Sequence, residues 1–332
     1  MKFICEKGIL SSIQMKGLMS LHIIERRRPY RLIYQQALLA RTSPSHKSYP
    51  LLKEKVRRRS AGFAGEIQFD RVCAEYREEM QFRLIPDFKT ATHQIDAICI
   101  FSSFIVIVEV KNISGHIHMD GTKRQFFRIL NGVMTGMTNP DDQLYRHEKL
   151  VRRLIGDKVP IIGIVVFTNP SAILEIKNIK RRVIHLSGLP FVFDELVSHY
   201  RTSPTIEIEQ YFNSLLSMQP PLQIHTPPLI SYPLLEGVFC PDCPYTKMNY
   251  SRNFWRCPLC ARKRADAHLL ALQDYRLLIG STISNLEFRR FTGLQSRTNA
   301  WTILQSCGFQ KIGNKKSVRY VIPEVDLRKN SD

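Results

Sequence analysis

Two carboxylates and an ammonium group stand close together in an otherwise apolar part of the chain. Asp96 precedes the apolar stretch that runs from Ile98 to Val110, and Glu109 and Lys111 lie at its far end. Charges that are buried in such surroundings without a partner are strongly unfavourable. We therefore expect a ligand that neutralises the acids, and a divalent cation suits carboxylate oxygens best.

The elements around these charges predict how the side chains meet. Residues 94–101 and 104–112 are predicted to form two strands joined by a tight hairpin. Side chains two positions apart on a strand share a face, so Glu109 and Lys111 point in the same direction. Asp96 can reach that face from the neighbouring strand of the hairpin.

This arrangement predicts a metal site that acts on phosphate esters. Asp96 and Glu109 would bind Mg²⁺ or Mn²⁺, and the backbone carbonyl of Val110 would add a third oxygen. The ion would polarise the phosphate and activate a water molecule, while Lys111 would orient that water or offset developing charge. Glu66, on a helix predicted from about Ala61, would complete the metal shell directly or through water.

The pattern resembles the NERD (nuclease-related) domain family of the PD-(D/E)xK nuclease superfamily. The resemblance covers about residues 58–170 and rests on the motifs Ala64-Gly65-Glu66, His93-Gln94-Ile95-Asp96, Val108-Glu109-Val110-Lys111-Asn112 with Gly115, and Asn139-Pro140-x-x-Gln143. It implies an α/β fold with a restriction-endonuclease-like mixed sheet flanked by helices. It also implies metal binding by Asp96 and Glu109, catalysis by Lys111, and supporting roles for Glu66 and Gln143.

Four of the eight cysteines form the pattern C-x2-C-x13-C-x2-C, made by Cys240, Cys243, Cys257 and Cys260. Two such knuckles place four thiolates around Zn²⁺ and predict a small zinc ribbon. The set leaves no open ligand position, so the zinc would be structural. Aromatic residues between the knuckles, including Phe254 and Trp255, could contact nucleic acid, or the ribbon could serve only to fold this region.

The last segment predicts a winged helix-turn-helix-like domain. One helix follows Ser284, a second follows Ser296, and a basic hairpin covers about residues 309–322. Residues placed for contact with nucleic acid are, on the second helix and the wing, Arg297, Asn299, Lys315, Lys316 and Arg319. Such domains bind DNA, but they also dock other proteins.

The net charge of +19 is concentrated at the two ends of the chain. Residues 1–60 contain 14 Lys and Arg against 3 acids, residues 61–218 contain 18 against 18, and residues 236–332 contain 16 against 8. Basic ends around a neutral centre suit a nucleic acid, DNA or RNA, and the alternatives are simple solubility or ribosome-like non-specific binding. The cluster Arg57-Arg58-Arg59, about two helical turns before Glu66, is either a solvated surface or a contact along a bound backbone.

These features divide the chain into five predicted segments: a basic helical N-terminal arm (1–57), the nuclease-like domain (58–218), a Pro-rich linker (219–235), the zinc ribbon (236–264) and the winged-helix-like domain (265–332). No apolar run reaches the roughly 18 residues of a membrane span. Glu6 and Lys7 argue against a secretory leader, so a cytoplasmic location without membrane association is expected. The first 18 residues show no periodicity, and Met19 is an alternative start.

Taken together, the sequence predicts a metal-dependent nuclease that hydrolyses DNA and is tethered to it by the two C-terminal modules. Two alternatives remain open from the residues. One is a catalytically silent DNA-binding protein that recognises a DNA structure or end, and the other is an RNA-binding factor.

Overall fold

The computed structural model describes residues 24–77, 80–221 and 226–324. The first 18 residues and Met19 therefore lie outside the described residues. The N-terminal part contains helices α1 (Tyr30–Arg41) and α2 (Tyr49–Tyr76). α2 crosses residue 57, where the sequence suggested a boundary between arm and domain, as one continuous helix.

A five-stranded mixed sheet lies at the centre of the next part. Its strands are β1 (Arg83–Lys89), β2 (Gln94–Ile100), β3 (Ile105–Lys111), β7 (Ile161–Phe167) and β9 (Arg182–His185), in that spatial order. β1, β2 and β3 pair antiparallel, whereas β3, β7 and β9 pair parallel. β3, which carries Glu109 and Lys111, is therefore the central strand, where the antiparallel and parallel halves meet.

Three helices complete this layer: α3 (Pro140–Ile155), α4 (Leu189–His199) and α5 (Ile208–Ser217). Alternation along β3 explains the two sides of the sheet. Val106 and Val108 face a core formed with α2 and α4, while Ile105 and Ile107 face a core formed with α3 and α5. Residues on both faces of β3 are buried, as expected of a near-continuous apolar strand. The prediction of a mixed α/β sheet flanked by helices is confirmed.

A second, four-stranded sheet packs on the α3 side. It contains β4 (Gly115–Asp120), β5 (Gln125–Leu130), β6 (Val133–Gly136) and β8 (Ala172–Lys177), in the order β6-β5-β4-β8. β4 and β8 pair parallel, so the chain after β7 returns to the second sheet before it forms β9. The local sequence pattern predicts strands at 115–119 and 124–129, which correspond to β4 and β5, but it predicts neither β6 nor β8.

The ladder between β1 and β2 is irregular at Asp87 and Asp96, which lie opposite each other. The ladder between β1 and β2 pairs Pro86 with Ala97 and Phe88 with Ile95, and it leaves out the pair between them. Asp87 has a φ of 52°, a left-handed conformation that Asp tolerates better than most residues. Along β2, Ile95 precedes this irregularity and faces the α3 core, whereas Ala97 follows it and faces the α2 core. Asp96 therefore lies at a local irregularity rather than in the regular ladder.

The C-terminal part begins with three short strands, β10 (Asn249–Ser251), β11 (Phe254–Arg256) and β12 (Lys263–Arg264). The elements that follow are α6 (Ala267–Leu278), β13 (Thr282–Ile283), α7 (Asn285–Thr292), α8 (Arg297–Ser306), β14 (Lys311–Ile312) and β15 (Arg319–Val321). One hydrophobic core joins both groups, since it contains Trp255 from β11 and Phe288 from α7. We refer to residues 236–324 as the C-terminal module.

Helix α1 connects the two parts of the molecule. It packs against α2 of the nuclease-like part and against α6 of the C-terminal module. At its end Arg41 is buried, where it forms an ion pair with Asp274 at 2.8 Å and donates to the backbone carbonyl of Gly237 at 2.6 Å. Two basic residues of the N-terminal part, Arg26 and Arg41, are therefore buried within the fold.

Candidate functional site

The residues predicted to bind metal meet at the end of β3. Oδ2 of Asp96 accepts a hydrogen bond from the backbone N–H of Val110 at 2.8 Å. Glu109 is only 3% exposed and lies on the α3 side of the sheet, next to Val110 in sequence. The structure thus brings Asp96 and Glu109 to one end of the sheet, although they belong to different strands.

Lys111 joins the second carboxylate to helix α3. Its Nζ lies 2.5 Å from Oε1 of Glu109 and 3.1 Å from Oε1 of Gln143. α3 is fixed at its start by Asn139, whose side chain accepts from the backbone N–H of Asp141 at 3.0 Å. The helix begins at Pro140, as a capping Asn followed by Pro predicts, and its first turn places Gln143 over the ammonium group. The two acids, Lys111 and Gln143 therefore form one cluster.

Helix α2 approaches this cluster closely because of Gly65. A Cβ at this position would lie 2.6 Å from Oγ1 of Thr168 and 2.7 Å from Cβ of Asn112, closer than packed atoms allow. Asn112 also donates to the carbonyl of Ala61 at 2.7 Å. Gly65 and Asn112 thus hold α2 against the ends of β3 and β7, which places Glu66 beside the site.

The electrostatics of the site reflect crowded acids. Burial and then the negative charge of Asp96 raise the pKa of Glu66 to about 7, with Arg26 acting in the opposite direction. Burial and then Glu109 raise the pKa of Asp96 well above its ordinary value, which its hydrogen bond from Val110 only partly offsets. Acids that resist ionisation when alone become good ligands when a cation is present. Asp96, Glu109 and the hard oxygen atoms around them therefore fit a divalent cation.

Four further residues at the site were not identified from the sequence: Arg26, Asp70, Asp87 and His147. Asp70 follows Glu66 by four residues on α2, and His147 follows Gln143 by four on α3, so helical spacing was the available signal. Nδ1 of His147 is buried without a hydrogen-bond partner, 3.8 Å from Oε2 of Glu109. Burial lowers the pKa of His147 to about 4, so the imidazole is neutral near pH 7.

No sequence pattern around Asp87 or Arg26 indicated that either residue belongs to the site. Asp87 accepts from Lys89 at 2.6 Å and from Gln94 at 2.8 Å, and its charge reaches Glu66. Arg26 arrives from the segment before α1, and its side chain is 1% exposed. Only tertiary structure could show that either residue belongs to this site.

The four cysteines form the second candidate site. Their Sγ atoms all lie within 4.8 Å of one another, and those of Cys240 and Cys260 are 3.7 Å apart. Thiolates bound tetrahedrally to Zn²⁺ at about 2.3 Å are separated by about 3.8 Å. Over the described parts of the chain, this is the one group that brings three or more His, Cys, Asp or Glu ligand atoms so close. The cluster is consistent with the predicted zinc ribbon.

The residues predicted to contact nucleic acid are placed unequally. Arg57, Arg58 and Arg59 are exposed on α2, where the first two pair with Glu54. Arg297 and Asn299 are exposed in the first turn of α8, and Lys315 is exposed in the turn between β14 and β15, which also contains Lys316.

Two residues of the C-terminal module are instead engaged within the fold. Arg319 is half-buried and pairs with Glu287 at 2.8 Å and with the carbonyl of Thr282 at 3.0 Å. Trp255 is 1% exposed and lies in the core, so the suggestion that it contacts nucleic acid is wrong. The neighbouring Phe254 is 46% exposed.

Comparison with known families bears directly on the first site. Residues 61–168 match the family model of the nuclease-related domain, NERD. The matched segment begins on α2 and ends just after β7, so it contains Glu66, Asp96, Glu109, Lys111 and Gln143. This chain therefore carries a nuclease-related domain, and the predicted resemblance is confirmed.

Two further searches, among curated proteins and among solved structures, found no match to the chain. In residues 24–77, 80–221 and 226–324 no helix combines the length and the apolar character needed to cross a membrane.

Proposed function

We propose that this protein is a metal-dependent nuclease that hydrolyses phosphodiester bonds of DNA. The observation that carries the proposal is the cluster at the end of β3, where Asp96, Glu109, Lys111 and Gln143 meet within a nuclease-related domain. Two buried carboxylates and one ammonium group together carry one negative charge. A divalent ion would change this to one positive charge, which a phosphodiester would balance.

The ligands of Mg²⁺ or Mn²⁺ would be Asp96, Glu109 and the backbone carbonyl of Val110. The ion supplies Lewis acidity to the phosphate and lowers the pKa of the attacking water. The hydrogen bond from the Val110 N–H fixes the carboxylate of Asp96 with one oxygen turned to the backbone. Glu66, with its raised pKa, supports the pair from α2.

Lys111 has the central chemical role in this proposal. Glu109 and Gln143 hold its Nζ on the same face of β3 as the metal ligands. From there the ammonium orients the water and offsets the negative charge that develops on the phosphorus centre. Gln143 keeps the ammonium in place from α3.

The C-terminal module would tether the enzyme to DNA. Its element order, α6-β13-α7-α8-β14-β15, with β15 between β13 and β14, supports a winged-helix-like fold in which α8 is the recognition helix. Arg297 and Asn299 head that helix, and Lys315 lies in the turn that would form the wing. A closed zinc ribbon would stabilise the module, and Arg57 to Arg59 would add contacts from α2. A cytoplasmic location stays part of this proposal.

Cleavage by the purified, zinc-loaded chain tests the proposal. Plasmid and single-stranded DNA are incubated with Mg²⁺ or Mn²⁺ and with wild type, Asp96→Asn or Lys111→Ala. We expect each substitution to lower the rate by roughly 100-fold or more, because each removes a group that acts on developing charge. Lys123→Ala, an exposed lysine in the turn between β4 and β5, is the matched control and should cleave as wild type does.

Unchanged cleavage by Asp96→Asn and Lys111→Ala would show that these roles are assigned wrongly. Tight DNA binding without cleavage, in either metal, would support a catalytically silent DNA-binding protein. Equal affinity for structured RNA without any metal requirement would support the RNA-binding factor.

A further inference from the structure

Arg26 brings a buried cation into the nuclease-related site from outside the matched domain. Its Nε and Nη2 donate to the two carboxylate oxygens of Asp70, at 2.7 and 2.9 Å. Its Nη1 donates to Oε2 of Glu66 at 2.9 Å, and Nη2 also donates to the backbone carbonyl of Asp96 at 2.9 Å. One guanidinium thus contacts two acids of α2 and the main chain of a predicted metal ligand.

The geometry of these contacts suits arginine and no other side chain. The planar fork donates in parallel to both oxygens of one carboxylate and still has a donor for a second acid. Glu66 and Asp70 lie one helical turn apart on α2, so their charges would repel each other without a cation between them. A guanidinium in this position supplies that positive charge as a permanent part of the fold.

The same acids could otherwise serve a metal. Glu66 feels the charges of Asp96, Asp87 and Asp70, which makes its side of the site strongly negative. A divalent ion is the usual partner of such a group of carboxylates. Arg26 contacts the oxygens that a second ion would need, whereas Asp96 and Glu109 make no side-chain contact with it among the described hydrogen bonds.

We infer that Arg26 is a resident cation that takes the place of a second metal ion, so that the site binds one divalent ion, at Asp96 and Glu109. Arg26 also acts as a positioning residue, because its bond to the Asp96 carbonyl holds the irregular end of β2. This inference deepens the proposed function and rests on it.

The number of bound Mn²⁺ ions tests the inference without any cleavage assay. Zinc-loaded full-length protein is titrated with Mn²⁺, and free Mn²⁺ is followed by its electron paramagnetic resonance signal. We expect one ion for wild type, two for Arg26→Ala, and one again for Arg26→Ala with Glu66→Gln. Arg27→Ala, an exposed neighbour with the same charge, should bind one ion.

Two variants that retain Arg26 keep the test decisive if Arg26→Ala does not fold. Glu66→Gln should still bind one ion, because Arg26 and not the metal is its partner, whereas Asp96→Asn should bind none. Two ions in wild type, one ion in folded Arg26→Ala, or loss of the ion in Glu66→Gln would each overturn the inference. If wild type cleaves DNA and one of these ion counts is found, only the role of Arg26 is refuted. If wild type does not cleave DNA, the proposed function is refuted.

Discussion

The four-cysteine site and the nuclease-related site draw their residues from the chain in different ways. The four cysteines come from two knuckles within one short segment, and their sulfur atoms lie together. The other site takes Arg26 from before α1, Glu66 from α2, Asp96 from β2, Glu109 and Lys111 from β3, and Gln143 from α3. Only the whole α/β fold brings those side chains together.

The two sites also differ in their internal charge balance. In the nuclease-related site, Lys111 pairs with Glu109 and Arg26 pairs with Glu66, so the protein itself already offsets much of the acid charge. Three of the four sulfurs in the cysteine cluster belong to buried residues, and among the described hydrogen bonds no Lys or Arg donates to any of the four. Removal of metal should therefore unfold the region around the cysteines but leave the nuclease-related fold intact.

Loss of a zinc ligand is the largest expected effect. Cys257→Ser should abolish zinc binding and unfold the C-terminal module, because structural zinc contributes roughly 10 kcal/mol or more to folding. Both tryptophans of the chain, Trp255 and Trp301, lie in this module, so their emission reports on it alone. We expect a red shift as Trp255 leaves the core, together with zinc loss measured by mass spectrometry.

Cys307→Ser is the matched control for this substitution. Cys307 lies in the same module but outside the four-cysteine cluster, so zinc content and emission should stay close to wild type. Buried tryptophan emission in zinc-free Cys257→Ser would instead mean that the shared core of the module folds without metal.

The ion pair between Arg41 and Asp274 links the two regions and gives the next effect. Arg41→Ala leaves a buried carboxylate without this pair and removes a cation that lies 4.7 Å from the ring of Phe239 and 4.6 Å from that of Phe291. We expect a loss of about 3–5 kcal/mol, measured by urea unfolding followed through tryptophan emission. Arg31→Ala, an exposed arginine on the same helix, should change stability little.

The contrast between the sites explains what the sequence could predict. The cysteine spacing predicted the four-cysteine cluster because two knuckles can meet locally, and 13 residues between them are enough to form the small sheet. Asp96, Glu109, Lys111 and Gln143 were predicted as site residues because each lies in a recognisable motif on a strongly patterned element. The central sheet and α3 followed from apolar runs and from the cap at Asn139.

Other features depended on interactions between distant residues. Strand β8 (Ala172–Lys177) alternates weakly and is held by its parallel pairing with β4, which no local pattern predicts. Arg26 was grouped with the basic N-terminal residues, because a charge run gives no sign of which member becomes buried. Trp255 was considered for contact with nucleic acid, but the core shared by the ribbon and α7 encloses it.

Gly65 gives a smaller effect on the nuclease-related side. Gly65→Ala should destabilise the α/β fold by about 1–3 kcal/mol, because the new methyl group would press α2 away from Thr168 and Asn112. Gly62→Ala on the same helix has no atom within 4 Å of its added Cβ and should stabilise by about 0.5–1 kcal/mol. Urea unfolding followed by far-ultraviolet circular dichroism measures both. Equal changes in the two variants would show that α2 does not depend on close contact at Gly65.

The smallest effect concerns DNA contact by α8 and separates the tethering module from its zinc support. Arg297→Ala removes one exposed cation from the first turn of the proposed recognition helix, so the slope of log K against log salt should fall by about 0.9. Arg290→Ala, equally exposed but at the end of α7, should leave the slope unchanged if α8 faces the DNA. Fluorescence anisotropy of a labelled duplex over a range of NaCl concentrations gives both slopes. Equal slopes in the two variants would place the DNA elsewhere. The exposed Arg57 to Arg59 on α2, on the nuclease-related side of the molecule, would then be one basic surface to test next.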